Sequence, residues 1–169
     1  MWSSATTPEP RAGGPQIHHR LSLSSDDRRD RGTREIHIER PPAEVFSFLS
    51  ENDPQWQRRM RRCTITTPPP LRVGSRYEQV ARFGRRDIVS TIEIVEYVVG
   101  RVIEGTTVKG SFNVTFRRRV EAEGSGTRVT AVITGDSTMF RVGRGLGRRR
   151  AQRSLTTDYR QLKEILEAL

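Results

Sequence analysis

Lysine is nearly missing from this chain of 169 residues. Only Lys109 and Lys163 occur, so all but two of the 30 basic residues are arginine. Genome composition can produce such a bias without selection for a partner. That weakens the usual step from a net charge of +10 to nucleic acid or an anionic membrane. The arginines are also scattered, over residues 58–62, 82–86, 117–119 and 141–153. We read these runs as solvated surface and hold only the last open as a functional patch. Cysteine is limited to Cys63, which excludes an internal disulfide. Its place in the strand-like stretch 62–66 suits a small packing residue better than a catalytic thiol. No histidine follows His37, and His18-His19 has no Cys or acidic cluster beside it, so a metal site is not expected and no cofactor is called for. No apolar run approaches the length of a membrane span, and the N-terminus lacks the apolar segment of a signal peptide. The expected location is the cytoplasm.

Residues 1–32 are rich in Ser, Thr, Pro, Gly, Arg and Asp without apolar periodicity, which predicts a disordered tail ahead of one domain over 33–169. The domain opens on an alternating strand, with Ile36 and Ile38 on one face and Glu35, His37 and Glu39 on the wet one. Pro42 then suits the first turn of a helix, whose buried stripe is Val45, Phe46 and Leu49. Asp53-Pro54 repeats the pattern of an N-cap followed by proline and opens a second short helix carrying Trp56. Trp56 is either a plug in the core or part of a pocket mouth, with the plug preferred.

From Arg61 to Gly135 the chain reads almost entirely as strand and turn. Strands are expected near 62–66, 76–83, 88–97, 102–108, 112–121 and 127–134, separated by Pro68-Pro69-Pro70, Gly84, Gly100, Gly110 and Gly124-Ser125-Gly126. With the first strand that makes seven, and no crossover helix separates the last six. An antiparallel meander is therefore predicted, apart from the placement of the first strand. Leu155, Tyr159, Leu162, Leu166 and Leu169 recur at helical spacing, a stripe that should dock across the concave face of the sheet. The stretch before it, residues 139–153, carries Gly143, Gly145 and Gly147 and should be weakly helical. It lacks the Gly-Lys-Ser/Thr ending of a phosphate loop. The fold class is thus α+β: a curved antiparallel sheet wrapped around a long C-terminal helix, with two short helices after the first strand.

The same framework carries a family resemblance. The segment 36–46, IHIERPPAEVF, resembles the opening "I-x-R-P-P-A-E-V-F" of START-like proteins of the polyketide cyclase/dehydrase type, in the SRPBCC superfamily. Trp56 stands at that family's "P-x-W" position, residues 71–77 (LRVGSRY) are similar to its "L-x-V-G-T-x-F" turn, and 94–97 (IVEY) to its "V-x-E-Y" strand end. The resemblance implies a helix-grip fold and a hydrophobic pocket whose ligand and chemistry vary from member to member.

On this reading the pocket lies between sheet and C-terminal helix. Tyr77, Gln79, Ser90 and Glu104 are its expected inward polar groups, and Trp56, Ile92, Phe112, Met139 and Phe140 its apolar lining. Arg141, Arg144 and Arg148, spaced three and four apart, would form a cationic rim for a carboxylate, a phosphate or an anionic lipid surface, and solvated arginines explain them equally well. Signatures of nucleophilic or metal catalysis are absent. Binding or carriage of a hydrophobic or amphipathic small molecule is the first expectation. The alternatives are a polyketide cyclase/dehydrase-like enzyme that polarises carbonyls with Tyr, Arg and Gln, and a basic domain docking on anionic membrane or nucleic acid, the nucleic acid being disfavoured.

Overall fold

Seven strands and three helices account for the computed structural model, which describes residues 31–51, 53–135 and 146–169. In chain order they are β1 (Arg31–Ile38), α1 (Pro42–Glu51), α2 (Asp53–Trp56), β2 (Met60–Ile65), β3 (Arg76–Phe83), β4 (Arg86–Val98), β5 (Val102–Lys109), β6 (Val114–Glu123), β7 (Gly126–Gly135) and α3 (Leu146–Ala168). The strands form one antiparallel sheet in the order β1-β7-β6-β5-β4-β3-β2. The last six strands are the expected meander, and β1 closes its far edge by pairing with β7. Residues of the expected tail before Arg31, and the glycine-rich stretch before Leu146, lie outside the described residues.

Side-chain alternation separates a concave face from a convex one. Ile38, Val129, Val120, Ile103, Ile94, Ile92 and Phe116 point inward and are buried. Gly105 pins this phase at the centre. A Cβ there would lie 2.7 Å from Phe116 Cε1 and 2.9 Å from Ile92 Cγ2, so the facing side chains occupy the space a larger residue would need. Gly84, Gly100 and Gly124 turn the hairpins with φ of 59°, 74° and 60°, values open to glycine at no steric cost.

Helix α1 buries Val45, Phe46 and Leu49 against β6 and β7, with the Phe46 ring 5.7 Å from that of Tyr97. Helix α3 buries Leu155, Tyr159, Leu162 and Leu166, each worth about 2 kcal/mol of apolar burial. Leu169 does not join that stripe as its spacing suggested. It follows the last helical residue and is 79% exposed. Polar contacts lace α3 along β1. Gln152 Nε2 donates to the Thr33 carbonyl, Lys163 Nζ to the His37 carbonyl and Arg40 Nε to the Leu166 carbonyl, while Glu167 Oε1 accepts from the Glu39 amide. Among the described residues no helix is long and apolar enough to cross a membrane.

His37, on the outward face of β1, ties that strand to the β6–β7 hairpin. Its Nδ1 lies 3.0 Å from Glu123 Oε2 and its Nε2 2.9 Å from Glu39 Oε1. The Glu123 bond, opposed by partial burial and reinforced by Glu39, raises the imidazole pKa above its ordinary 6.5. A raised folded pKa adds stability that is fully present below pH 6.5 and is lost as pH rises through the folded value. The expected outcome is that the His37 ring titrates above 6.5 by NMR. The stability gap between wild type and His37→Gln should then be largest near pH 6 and close as the pH is raised, and a ring that titrates at or below 6.5 would contradict this.

Candidate functional site

An arginine sits at the centre of the concave face. Along β6 the inward residues are Val114, Phe116, Arg118 and Val120, and Arg118 is only 5% exposed. Its Nη1 donates to the Leu49 carbonyl at 2.8 Å and lies 2.9 Å from Asp53 Oδ1. The approach to Asp53 is an ion contact rather than an aligned hydrogen bond. The guanidinium carbon lies over two aromatic rings, 4.6 Å from the centroid of Phe116 and 5.0 Å from that of Trp56. Burial works against its charge, but Asp53, then Tyr159 and Tyr77, outweigh it and raise its pKa. Arg118 is therefore a fixed cation.

The expectation that residues 117–119 form a solvated run is corrected here. Strand alternation gives the three neighbours three different environments. Arg117 faces outward and bridges Glu96 and Glu104, Arg118 enters the core, and Arg119 pairs with Glu121 at 3.2 Å on the surface. The signal was present in the sequence, since Arg118 is in phase with Phe116 and Val120.

Asp53 opens α2, and its carboxylate is taken up by Arg118. Trp56, at the other end of α2, is 1% exposed, a plug wedged edge-on against Tyr159 of α3 with ring centroids 4.9 Å apart. Its buried indole Nε1 has no hydrogen-bond partner among the described residues. Tyr77 and Tyr159 are buried, which pushes the Tyr159 phenol up to about 12 and that of Tyr77 well above its ordinary value. Both remain neutral donors at physiological pH. Burial likewise lifts the Cys63 thiol to about 12, so it holds its proton and packs against the core.

The remaining candidates divide by face. Ile92 pairs with Tyr77, and Ser90 with Gln79, across the β3–β4 ladder, which brings Tyr77, Gln79, Ser90 and Ile92 together on the concave side. Ile92 and Ser90 are buried, and Gln79 is half-buried. Glu104 is not among them. Ile103 and Gly105 take the inward positions of β5, so Glu104 lies on the convex face, where it binds Arg117. A slip of one residue in phase separates the two assignments. Phe112 lies in the connection before β6 rather than inside that strand, half-buried, with its ring 6.1 Å from that of Phe83. Met139, Phe140, Arg141 and Arg144, and the side chain of Arg148, lie outside the described residues.

Exposure grades along the concave face. Around Ile38, Val120, Val129 and Ile94 the residues are almost wholly buried. Toward the β3–β4 hairpin, Gln79, Ala81, Phe83 and Ile88 are only half-buried. On the flank nearby, a pocket of about 440 Å³ opens between α3 and the turn after α2, lined by Arg58, Arg59, Arg153, Ser154, Thr157 and Asp158.

Removing one member of the central ion pair strands the other in the core, which costs about 3–5 kcal/mol. Asp53→Asn and Arg118→Ala are each expected to lower the unfolding free energy in denaturant titrations by that order. The double change Asp53→Leu/Arg118→Met should recover part of the loss. Single variants as stable as wild type would show that the pair does not hold α2 in place.

Comparison with known proteins agrees with this architecture. A family model described as polyketide cyclase / dehydrase and lipid transport matches residues 29–167. Among solved structures, a START superfamily protein from Mycobacterium smegmatis superposes with a TM-score of 0.70 at 14% identity, covering 82% of this chain and 98% of that one. A protein from Thermus thermophilus gives 0.68 at 18% identity, with 82% and 97% covered. The major latex-like protein 151 of Panax ginseng gives 0.61 at 15% identity, with 80% and 96% covered. At these identities the likeness is one of fold. None of the curated proteins matches the sequence.

Proposed function

The chain belongs to the polyketide cyclase/dehydrase and lipid transport family, and on that footing we propose that it binds and carries a hydrophobic or amphipathic small molecule between the sheet and α3. The observation that carries this reading is the gradient of exposure on the concave face. One half is sealed core, while Gln79, Ala81, Phe83 and Ile88 at the other end keep partial exposure on a surface that faces inward. A mostly apolar wall with a few polar groups, here Gln79 and Ser90, is the usual character of a small-molecule site.

Carriage is preferred to catalysis because the strongest polar group is already committed. Arg118, the cation best placed to polarise a carbonyl, is held by Asp53 and the Leu49 carbonyl and lies over the rings of Trp56 and Phe116. Tyr77 and Tyr159 are buried beside it and have pKa values too high for a general base near neutrality.

Ala81 offers the cleanest test, being half-buried on the inward face of β3 and apart from the central ion pair. Ala81→Phe is expected to weaken binding of a neutral hydrophobic fluorophore, N-phenyl-1-naphthylamine, at least tenfold while leaving the unfolding midpoint within a degree or two. Unchanged affinity in the folded variant would refute binding at this end of the concave face. Native mass spectrometry of gently purified protein then identifies the natural cargo class, and turnover of that compound by the wild type would move the function from carriage to catalysis.

A further inference from the structure

The pocket beside α3 has a chemistry of its own. Arg58 and Arg59 enter it from the turn that follows α2, and Arg153 from α3, with the hydroxyl-bearing Ser154 and Thr157 between them. Among the described residues none of the three guanidinium groups forms an ion pair with a carboxylate. Arg62, Arg76, Arg82, Arg117 and Arg128 each meet a Glu or Asp, whereas Arg61, Arg85 and Arg86 are also without an ion pair among the described residues but do not line this pocket. Asp158, the single acidic residue of the lining, accepts the backbone N–H of Arg58 at 3.3 Å, and its carboxylate also attracts the Arg59 and Arg58 charges, so it offsets one of the three cations. Three arginines against one carboxylate around about 440 Å³ leave a concave site with a net positive field and hydrogen-bond donors of two kinds.

The position of Arg59 links this pocket to the interior. Its backbone carbonyl accepts the amide of Arg82, which docks the turn on the end of β3. Its guanidinium lies 5.5 Å from the centroid of Phe83, an inward residue of β3, and Phe83 in turn contacts Phe112. A polar recess therefore adjoins the half-open, aromatic end of the concave face through one side chain.

We propose that this pocket is the head-group subsite for an amphipathic anion, a phosphate or carboxylate held by Arg58, Arg59 and Arg153, whose apolar chain runs past Phe83 and Phe112 onto the concave face. The inference rests on the ligand-binding reading above and adds the charge and location of the ligand's polar end. Arginine suits the task because its planar fork can bind such an oxyanion through two parallel hydrogen bonds.

The experiment measures binding of decyl phosphate, decanol and inorganic phosphate to the full chain by calorimetry at low ionic strength. Wild type is compared with Arg58→Gln/Arg153→Gln and with a control that removes the same charge elsewhere, at the exposed Arg61 and Arg85 (Arg61→Gln/Arg85→Gln). Decyl phosphate is expected to bind at least tenfold more tightly than decanol. That advantage should disappear in Arg58→Gln/Arg153→Gln and survive in the control, with decanol affinity unchanged in both. Equal affinity for decyl phosphate and decanol overturns the anion subsite while leaving the hydrophobic site standing. Equal loss in both double variants reduces the effect to general charge and overturns it too. Binding of inorganic phosphate that requires Arg58 and Arg153, with neither amphiphile bound, overturns the shared-ligand proposal together with the interior site and leaves only a free-anion pocket.

Discussion

A charge placed in the core must be compensated where it lies, and in this fold that requirement determines where the short helices go. Arg118 projects from the middle of a seven-stranded sheet into its concave face, 5% exposed. The groups that satisfy it are the Asp53 carboxylate at the start of α2 and the Leu49 carbonyl near the end of α1. Both helices are thereby drawn onto one half of the sheet. Trp56 is carried onto the guanidinium by the same α2, and Tyr159 of α3 packs on Trp56. A single strand residue thus organises α1, α2 and the middle of α3, and the half of the concave face it does not reach is the half that keeps partial exposure.

Much of this was legible in the chain. Strands β1, β3, β4 and β7 are signalled by alternation, because a half-buried antiparallel strand needs a different residue type on each side, and the others by the glycines and prolines that bound them. The helical stripes of α1 and α3 were equally plain. What escaped were properties set by partners distant in sequence. Glu104 lies on the convex face against the inward position its sequence suggests, because Ile103, Glu104 and Gly105 give no alternation to read. The phase is fixed instead by Phe116 and Ile92, which fill the space at Gly105. Leu169 continued the spacing of α3 beyond the last helical residue. Arg118 was hidden by its neighbours, since three adjacent arginines look like one surface run.

Arginine serves three unlike purposes in this protein, and composition could not separate them. On the convex face it is a rung, as where Arg117 joins Glu96 and Glu104 across adjacent strands. In the core it is a bolt. Beside α3 three arginines outnumber the one carboxylate, Asp158, that lines their pocket. Surface rungs contribute little individually and are screened by salt, so charge count says less about this molecule than charge placement does.

The pairing of β1 with β7, and the lacing of β1 to α3, also governs the order in which the domain can assemble. The meander from β2 to β7 is built from neighbours in sequence and can form as it is synthesised. By contrast, the hydrogen bonds joining β1 and the residues just after it to α3 span 119 to 128 residues. Contacts of such separation close late, after their loop entropy has been met. A ribosome-bound chain that has made β1 through β7 still presents an uncovered apolar trough. That trough, the future interior, is the surface a chaperone would have to shield until α3 emerges.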